Sequence, residues 1–126
     1  MQESRFQNYR FEDLEVWQLG MKIVHEAYRL TGKFPSNEKF GLADQLRRAS
    51  TSIVLNIAEG SGQPTAKGFI LYLRRARSSG LECVACIKIA LQERFLTEKE
   101  TEVVIALLRE EYFKLIAFEK SLKTNI

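Results

Sequence analysis

The residues whose charge could support chemistry are concentrated in the middle of the chain. From residue 47 to residue 80 there are six basic side chains and one acidic one, whereas the rest of the chain has thirteen basic and fifteen acidic side chains. The six basic residues are Arg47, Arg48, Lys67, Arg74, Arg75 and Arg77. Such side chains neutralise phosphates and release their counterions, which gives affinity without reading sequence. The pattern predicts binding to RNA or another nucleic acid, the alternative being an ordinary solvated face with intramolecular ion pairs.

A polar row accompanies these charges on the second predicted helix. Its members follow one another at steps of three, four, four and three, and they are Gln45, Arg48, Ser52, Asn56 and Glu59. A buried amide must be hydrogen-bonded, so we interpret the row as a polar network that fixes helix register. Because Glu59 is the only acid in the basic stretch, we expect Arg48 or Arg77 as its partner. A catalytic pair of Glu59 and Arg48 is the enzymatic alternative.

Other patterns that carry catalytic or metal chemistry are weak. The single histidine, His25, has no serine or cysteine nucleophile in a recognisable motif, and no Glu-x-x-His pair typical of di-iron bundles occurs. Cys83 and Cys86 form a Cys-x-x-Cys spacing, but they fall on or beside an apolar helical stripe, so we interpret them as small buried residues. Phosphate-binding glycine motifs are absent. We therefore expect no catalysis, metal, cofactor or small-molecule substrate.

Length and composition restrict the class of protein. The chain has 126 residues, of which 45% are hydrophobic and 28% charged, which is typical of one soluble globular domain. We find no apolar run long enough for a membrane span and no secretory signal pattern. We expect a cytoplasmic protein without a membrane partner.

Apolar residues recur at helical steps of three and four in four segments. The first runs from about residue 13 to residue 31 and ends at Gly32, the second is capped by Ser36 or Asn37, and the third by Thr65. The fourth opens at Thr97 with a capping box. The predicted buried stripes are Leu14, Trp17, Met21, Val24 and Tyr28; Leu42, Leu46, Ala49, Ile53 and Ile57; Phe69, Leu73, Ala76, Gly80, Cys83, Ile87 and Ala90; and Val104, Leu108, Leu115, Phe118 and Leu122.

Connections of about four to six residues force neighbouring helices to run antiparallel. The sequence thus predicts an all-α, up-down-up-down four-helix bundle over residues 13–126, preceded by an N-terminal arm over residues 1–12 that docks through Phe6, Tyr9 and Phe11. The third and fourth helices carry a second apolar stripe, which is a candidate subunit interface or simply a broad core. Its members are Ile70, Leu81, Val84 and Leu91, with Ile105, Tyr112, Phe113 and Ile116.

Several of these segments together resemble a known bacterial family. They are Phe11-x-Asp13-Leu14-x-Val16-Trp17, Phe34-Pro35, Gln45-Leu46-x-Arg48-Ala49 and Ser52-Ile53-x-x-Asn56-Ile57-Ala58-Glu59-Gly60. This pattern resembles the four-helix bundle proteins related to the 23S rRNA intervening-sequence protein family, over about residues 11 to 120. The likeness continues through Ser79 and Glu82, which we add to the predicted polar network. The chain departs from the family pattern at Ser78 and Gly80, which affects local packing of the third helix.

The resemblance implies an antiparallel four-helix bundle that assembles as a homopentamer. The family's biochemical role is largely unassigned. A related pentameric bundle, the accessory variability determinant of diversity-generating retroelements, resembles a basic scaffold for nucleic acid and reverse transcriptase. We therefore expect a non-catalytic homo-oligomer that binds nucleic acid, and the alternative is a scaffold that recruits a partner protein through its apolar stripes.

Overall fold

The chain folds into four α-helices in the predicted all-α arrangement. The computed structural model describes residues 9–124, within which there is no β-strand. The helices are α1 (Glu15–Thr31), α2 (Leu42–Ser61), α3 (Ala66–Gln92) and α4 (Glu98–Lys123). Short 3-10 turns at Arg10–Asp13 and Ser36–Glu38 precede α1 and α2, respectively. The antiparallel four-helix bundle predicted from the periodicity and from the resemblance is confirmed.

Contacts between consecutive helices show the up-down-up-down order. Ser52 of α2 meets Ser79 of α3, and Gly60, eight residues further along α2, meets Phe69 and Tyr72, which come earlier on α3. Lys33, just after α1, bonds Glu100 in the first turn of α4, and Lys114 in the second half of α4 bonds Glu15 at the start of α1. Each helix thus runs against its neighbours, and α4 packs on α1 to close the bundle.

The core contains the predicted stripes of α2 and α3 but another stripe of α1. The α2 stripe is fully buried, and the α3 stripe is buried except at the partly exposed Gly80. On α1 the core residues are Val16, Leu19, Ile23, Ala27 and Leu30, whereas Met21 and Tyr28 of the predicted stripe are 43% and 51% exposed. The α1 prediction is wrong at Met21 and Tyr28, because two adjacent rows of this helix are apolar and only one is buried, whereas Leu14 and Trp17 pack partly buried against the core.

Three of the predicted helix ends are observed. Gly32 follows α1 as its C-cap, Thr65 Oγ1 accepts the N–H of Gly68, and Thr97 forms the predicted capping box with Glu100. The predicted start of α2 is wrong, because Ser36 lies in a 3-10 turn instead of capping the helix.

Because α2 does not begin after Ser36 or Asn37, the connection from α1 to α2 is longer than the expected four to six residues. It spans residues 32–41, and Asn37 belongs to the same 3-10 turn as Ser36. The helix begins instead at Leu42, whose N–H donates to Glu38 Oε1 at 3.1 Å. A carboxylate four residues upstream therefore performs the capping function.

The described part of the N-terminal arm packs on α1. The ring of Phe11 meets Trp17 edge-on with centroids 5.1 Å apart and stacks on Tyr9 at 6.0 Å. Phe6, the third aromatic residue of the predicted arm, lies outside the described residues. The 3-10 turn ends at Asp13, so ordered structure begins before the predicted bundle boundary at residue 13.

Candidate nucleic-acid interface

Three of the six predicted basic residues line two adjoining concavities. Lys67 and Arg74 line a concavity of about 590 Å³ between the start of α3 and the end of α4. Arg74 and Arg75 line an adjoining concavity of about 410 Å³ between α2 and α3. The two concavities share Leu71 and Arg74, and Lys123 of α4 adds a fourth cation to the first. We call the surface formed around Lys67, Arg74, Arg75 and Lys123 the basic groove.

Local structure positions each of these cations. Lys67 and Arg74 are seven residues apart on α3, so they lie on one side of the helix two turns apart. The guanidinium of Arg75 lies 4.8 Å from the centre of the Tyr72 ring, a cation–π contact within α3 that restrains the side chain. Because α3 and α4 are antiparallel, the last turn of α4 brings Lys123 beside the first turns of α3.

Glu119 partly compensates the charge of the groove. Its side chain is 9% exposed and accepts a hydrogen bond from Arg74 Nε at 2.6 Å, while its other oxygen lies 3.8 Å from Lys123 Nζ. Arg74 nevertheless keeps about half of its side chain exposed. The first turn of α3 carries no acidic residue, so the positive end of the helix dipole adds to the field.

Hydroxyl and amide groups form the floor of the second concavity. Asn56 Nδ2 donates to Ser52 Oγ at 3.0 Å, the hydroxyls of Ser52 and Ser79 lie 2.8 Å apart, and Ser79 Oγ donates to the Arg75 carbonyl at 3.1 Å. Since Ser79 uses its proton on that carbonyl, Ser52 is the donor between the two hydroxyls. The network links α2 to α3 beneath the arginines and fixes the register of the two helices.

Half of the predicted polar network lies outside this chain of hydrogen bonds. Gln45, Glu59 and Glu82 are exposed on the outer sides of their helices. The expected arginine partner of Glu59 is also wrong: Arg48 lies three turns away along α2 and pairs with Asp44 at 3.1 Å, and Arg77 lies over the Tyr112 ring. The structure therefore does not bring Glu59 and Arg48 together as the enzymatic alternative requires.

Of the remaining three predicted cations, Arg47 and Arg77 contact other parts of the molecule. Arg47 donates from Nε to Thr31 Oγ1 at 2.9 Å and lies over Tyr28, so it joins α2 to α1. Arg77 faces α4 through its contact with Tyr112. Arg48 is 81% exposed and lies one turn before Ser52 on the row that leads into the groove. The six predicted cations thus do not form one continuous surface on a single chain.

Sequence reasoning missed three charged residues of α4. Lys123 could have been found from the predicted topology, which brings the end of α4 to the start of α3. Glu119 and Glu111 are buried, and Glu111 occupies the core step left open between Leu108 and Leu115 in the predicted stripe. Leu108 and Leu115 are seven residues apart, so the predicted stripe lacks one helical step between them. This gap was the signal that Glu111 faces the core.

A second groove between α3 and α4 is mostly apolar. It has a volume of about 330 Å³, and its lining combines Leu81, Val84, Ile105 and Phe113 of the predicted second stripe with Lys88 and Arg109. Leu81 and Phe113 are 54% and 60% exposed. Ile70, in contrast, is buried within the bundle and cannot contribute to an interface. We call this surface the apolar groove.

The two cysteines are buried and free. Burial raises the pKa of the Cys83 thiol to about 12 and also raises that of Cys86. The thiolate needed for redox chemistry or metal binding is therefore disfavoured at neutral pH. Among helices α1 to α4 as described, none has the length and apolarity of a membrane span.

Comparison with solved structures identifies the class of fold. A crystal structure of a protein of unknown function from the S23 ribosomal protein family of Bacteroides thetaiotaomicron matches with a TM-score of 0.77 and 22% identity. The match covers 83% of the present chain and 98% of the other, and at this identity it establishes the four-helix fold alone. No curated protein matches the chain significantly.

The sequence assigns the family. The pattern of the 23S rRNA-intervening sequence protein family matches residues 12–117, which is most of the chain. The protein therefore belongs to this family.

Proposed function

We propose that this protein is a non-catalytic, homo-oligomeric RNA-binding bundle that acts in the cytoplasm. The observation that carries the proposal is the basic groove, where Lys67, Arg74, Arg75 and Lys123 line two adjoining concavities. Membership of a family named after an insertion in ribosomal RNA favours RNA over DNA. The two free cysteines fit a reducing compartment.

The groove recognises the phosphate backbone and not the bases. Arg75 and Lys67 are exposed, and an arginine fork matches two phosphate oxygens. The hydroxyls of Ser52 and Ser79 are engaged in the network between α2 and α3, so they stabilise the groove without reading sequence. We expect weak sequence selectivity and a strong dependence on salt.

Assembly supplies the affinity that one groove lacks. Four cations, two of them beside Glu119, bind an RNA backbone weakly at physiological salt. Several copies joined through the apolar groove present several basic grooves to one RNA, and each further contact is then intramolecular. The family resemblance implies five copies.

The proposal is tested by reversing the charge of the two groove cations that have no acidic partner among the described residues. We expect Lys67→Glu with Arg75→Glu to weaken binding of a structured RNA at least about tenfold near 0.1 M salt, because phosphate contacts become repulsions. Arg74 is left in place because its replacement would leave Glu119 buried beside a second acid. Binding is measured by fluorescence anisotropy, and folding by thermal melting.

The matched control makes the same charge change away from the groove. Lys22→Glu with Lys99→Glu alters exposed lysines of α1 and α4 that line neither basic concavity. We expect this variant to bind within about threefold of the wild type, since only long-range attraction is lost. Equal weakening by both double variants would contradict the assignment of the groove.

The exposed apolar groove also supports a second candidate function, which is recruitment of a partner protein. Capture of a specific protein that persists after nuclease treatment and at high salt would favour this candidate. Loss of capture under both conditions would favour the RNA proposal.

A further inference from the structure

Glu111 of α4 is a buried carboxyl group to which the proposed function gives no role. Its side chain is 1% exposed and lies between Leu108 and Leu115 on the core face of the helix. Neither carboxyl oxygen has a hydrogen-bond partner among the described residues. An ionised carboxylate so far from bulk solvent, with no hydrogen bond from the described residues, costs several kcal/mol.

The space that the carboxyl occupies is created by a glycine of α1. A β-carbon on Gly20 would lie 3.1 Å from Glu111 Oε2 and 2.7 Å from Val54 Cγ1. Ile53 contributes a further apolar wall from α2, with its Cγ2 3.4 Å from the same position. The carboxyl therefore sits where α4 packs on α1, against hydrocarbon groups of α2.

The nearby charges do not stabilise the ionised form. Among the described residues, the charges that act on Glu111 come from α4 and α1: Glu110 and Glu15 repel a negative charge, and Lys114 attracts it. Lys114 is already engaged, because its Nζ lies 2.9 Å from Glu15 Oε1 and 3.7 Å from Glu110 Oε2. Burial is the largest influence and raises the pKa of Glu111 from 4.5 to about 8.

We propose that Glu111 is a proton-dependent lock between α4 and α1, in which the closed bundle holds a neutral carboxylic acid against Gly20. Opening of the bundle exposes the carboxyl to water, where it releases its proton above its ordinary pKa. The stability that the neutral carboxyl gives the closed bundle is fully present below about pH 4.5. It decreases as pH rises and is fully lost above about pH 8. A rise in pH through the neutral range thus loosens the packing of α4 on α1.

The test compares urea unfolding of the wild type and Glu111→Gln across this range. The amide has nearly the same shape but cannot ionise, so the ratio of the two unfolding constants isolates this carboxyl from all other groups. We expect the wild-type constant to rise relative to that of the variant by about tenfold per pH unit. The total between pH 4.5 and pH 8 is on the order of a thousandfold.

A control variant and a spectroscopic measurement on the wild-type protein complete the test. Glu102→Gln changes an exposed carboxyl on the same helix and is expected to retain the wild-type slope. Infrared spectroscopy of the wild type at about pH 6 should show the carbonyl band of a protonated carboxyl, because ordinary carboxyls are ionised there. A parallel pH dependence of wild type and Glu111→Gln, or the absence of this band, would overturn the proposal.

Discussion

A phosphate that enters the basic groove meets four cations whose existing contacts differ. Arg74 and Lys123 share Glu119, so part of their positive charge is already compensated. Lys67 and Arg75 have no ion pair among residues 9–124, and Arg75 is held on the Tyr72 ring. These two side chains therefore provide most of the uncompensated charge that a phosphate encounters.

One added β-carbon at Gly60 is sufficient to disturb the packing of α2 against α3, the two helices that form part of the basic groove. Gly60 is buried where α2 crosses α3, and a β-carbon there would lie 2.8 Å from Tyr72 Cβ and 2.9 Å from Phe69 Cδ1. Because the helices must separate or Phe69 must shift, we expect Gly60→Ala to lower the free energy of unfolding by about 1 to 3 kcal/mol. Urea denaturation followed by circular dichroism measures this loss.

Gly62→Ala provides the matched control two residues further on. Gly62 is the C-cap of α2 with φ −89°, and the nearest atom to its β-carbon position is the Glu59 carbonyl oxygen at 3.6 Å. We expect a change within about 0.5 kcal/mol, as for other surface substitutions. If both variants unfold at the same urea concentration as the wild type, the close approach of α2 and α3 is not required.

At the scale of elements, periodicity predicted the helices better than it predicted their orientation. The stripes of α2 and α3 could be predicted because each of these helices has one dominant apolar row. On α1 the rows through Met21 and through Ile23 are both apolar, and burial of Ile23 depends on neighbours that a single helix does not reveal. Glu38 as the cap of α2 also required three-dimensional information, because it acts from four residues before Leu42.

The candidate site was predictable where it depends on one helix and unpredictable where it depends on two. The spacing of Lys67 and Arg74 by itself places them on one side of α3. The directions of Arg47 and Arg77 are set by Tyr28 on α1 and Tyr112 on α4, so counting charges along the chain could not separate them from the groove. Tertiary contacts, and not local propensity, therefore decide which basic residues act together.

At the scale of the whole molecule, the proposal assigns the apolar groove to contact between copies of the chain. We expect Phe113→Glu to reduce the mass of the particle in solution, because a charge on this 60% exposed ring would have to be buried in the interface. Helix content should be retained, since the ring contributes little to the core of one bundle. Sedimentation velocity measures the mass.

The control for this variant is Leu55→Glu, which changes a similarly exposed side chain of α2 outside the apolar groove. It should leave the mass of the particle unchanged. A wild-type protein that sediments as a monomer, or a Phe113→Glu variant with the wild-type mass, would contradict the proposed role of this groove.

The proposed function requires the assembled protein to bind RNA through phosphate contacts in the basic groove. The most direct test is titration of a structured RNA with the wild-type protein at about 50 mM and about 200 mM monovalent salt. Four phosphate contacts predict a loss of affinity of at least about tenfold between these conditions, because each contact releases a condensed counterion. No binding at the lower salt concentration, or the same affinity at both, would contradict the account.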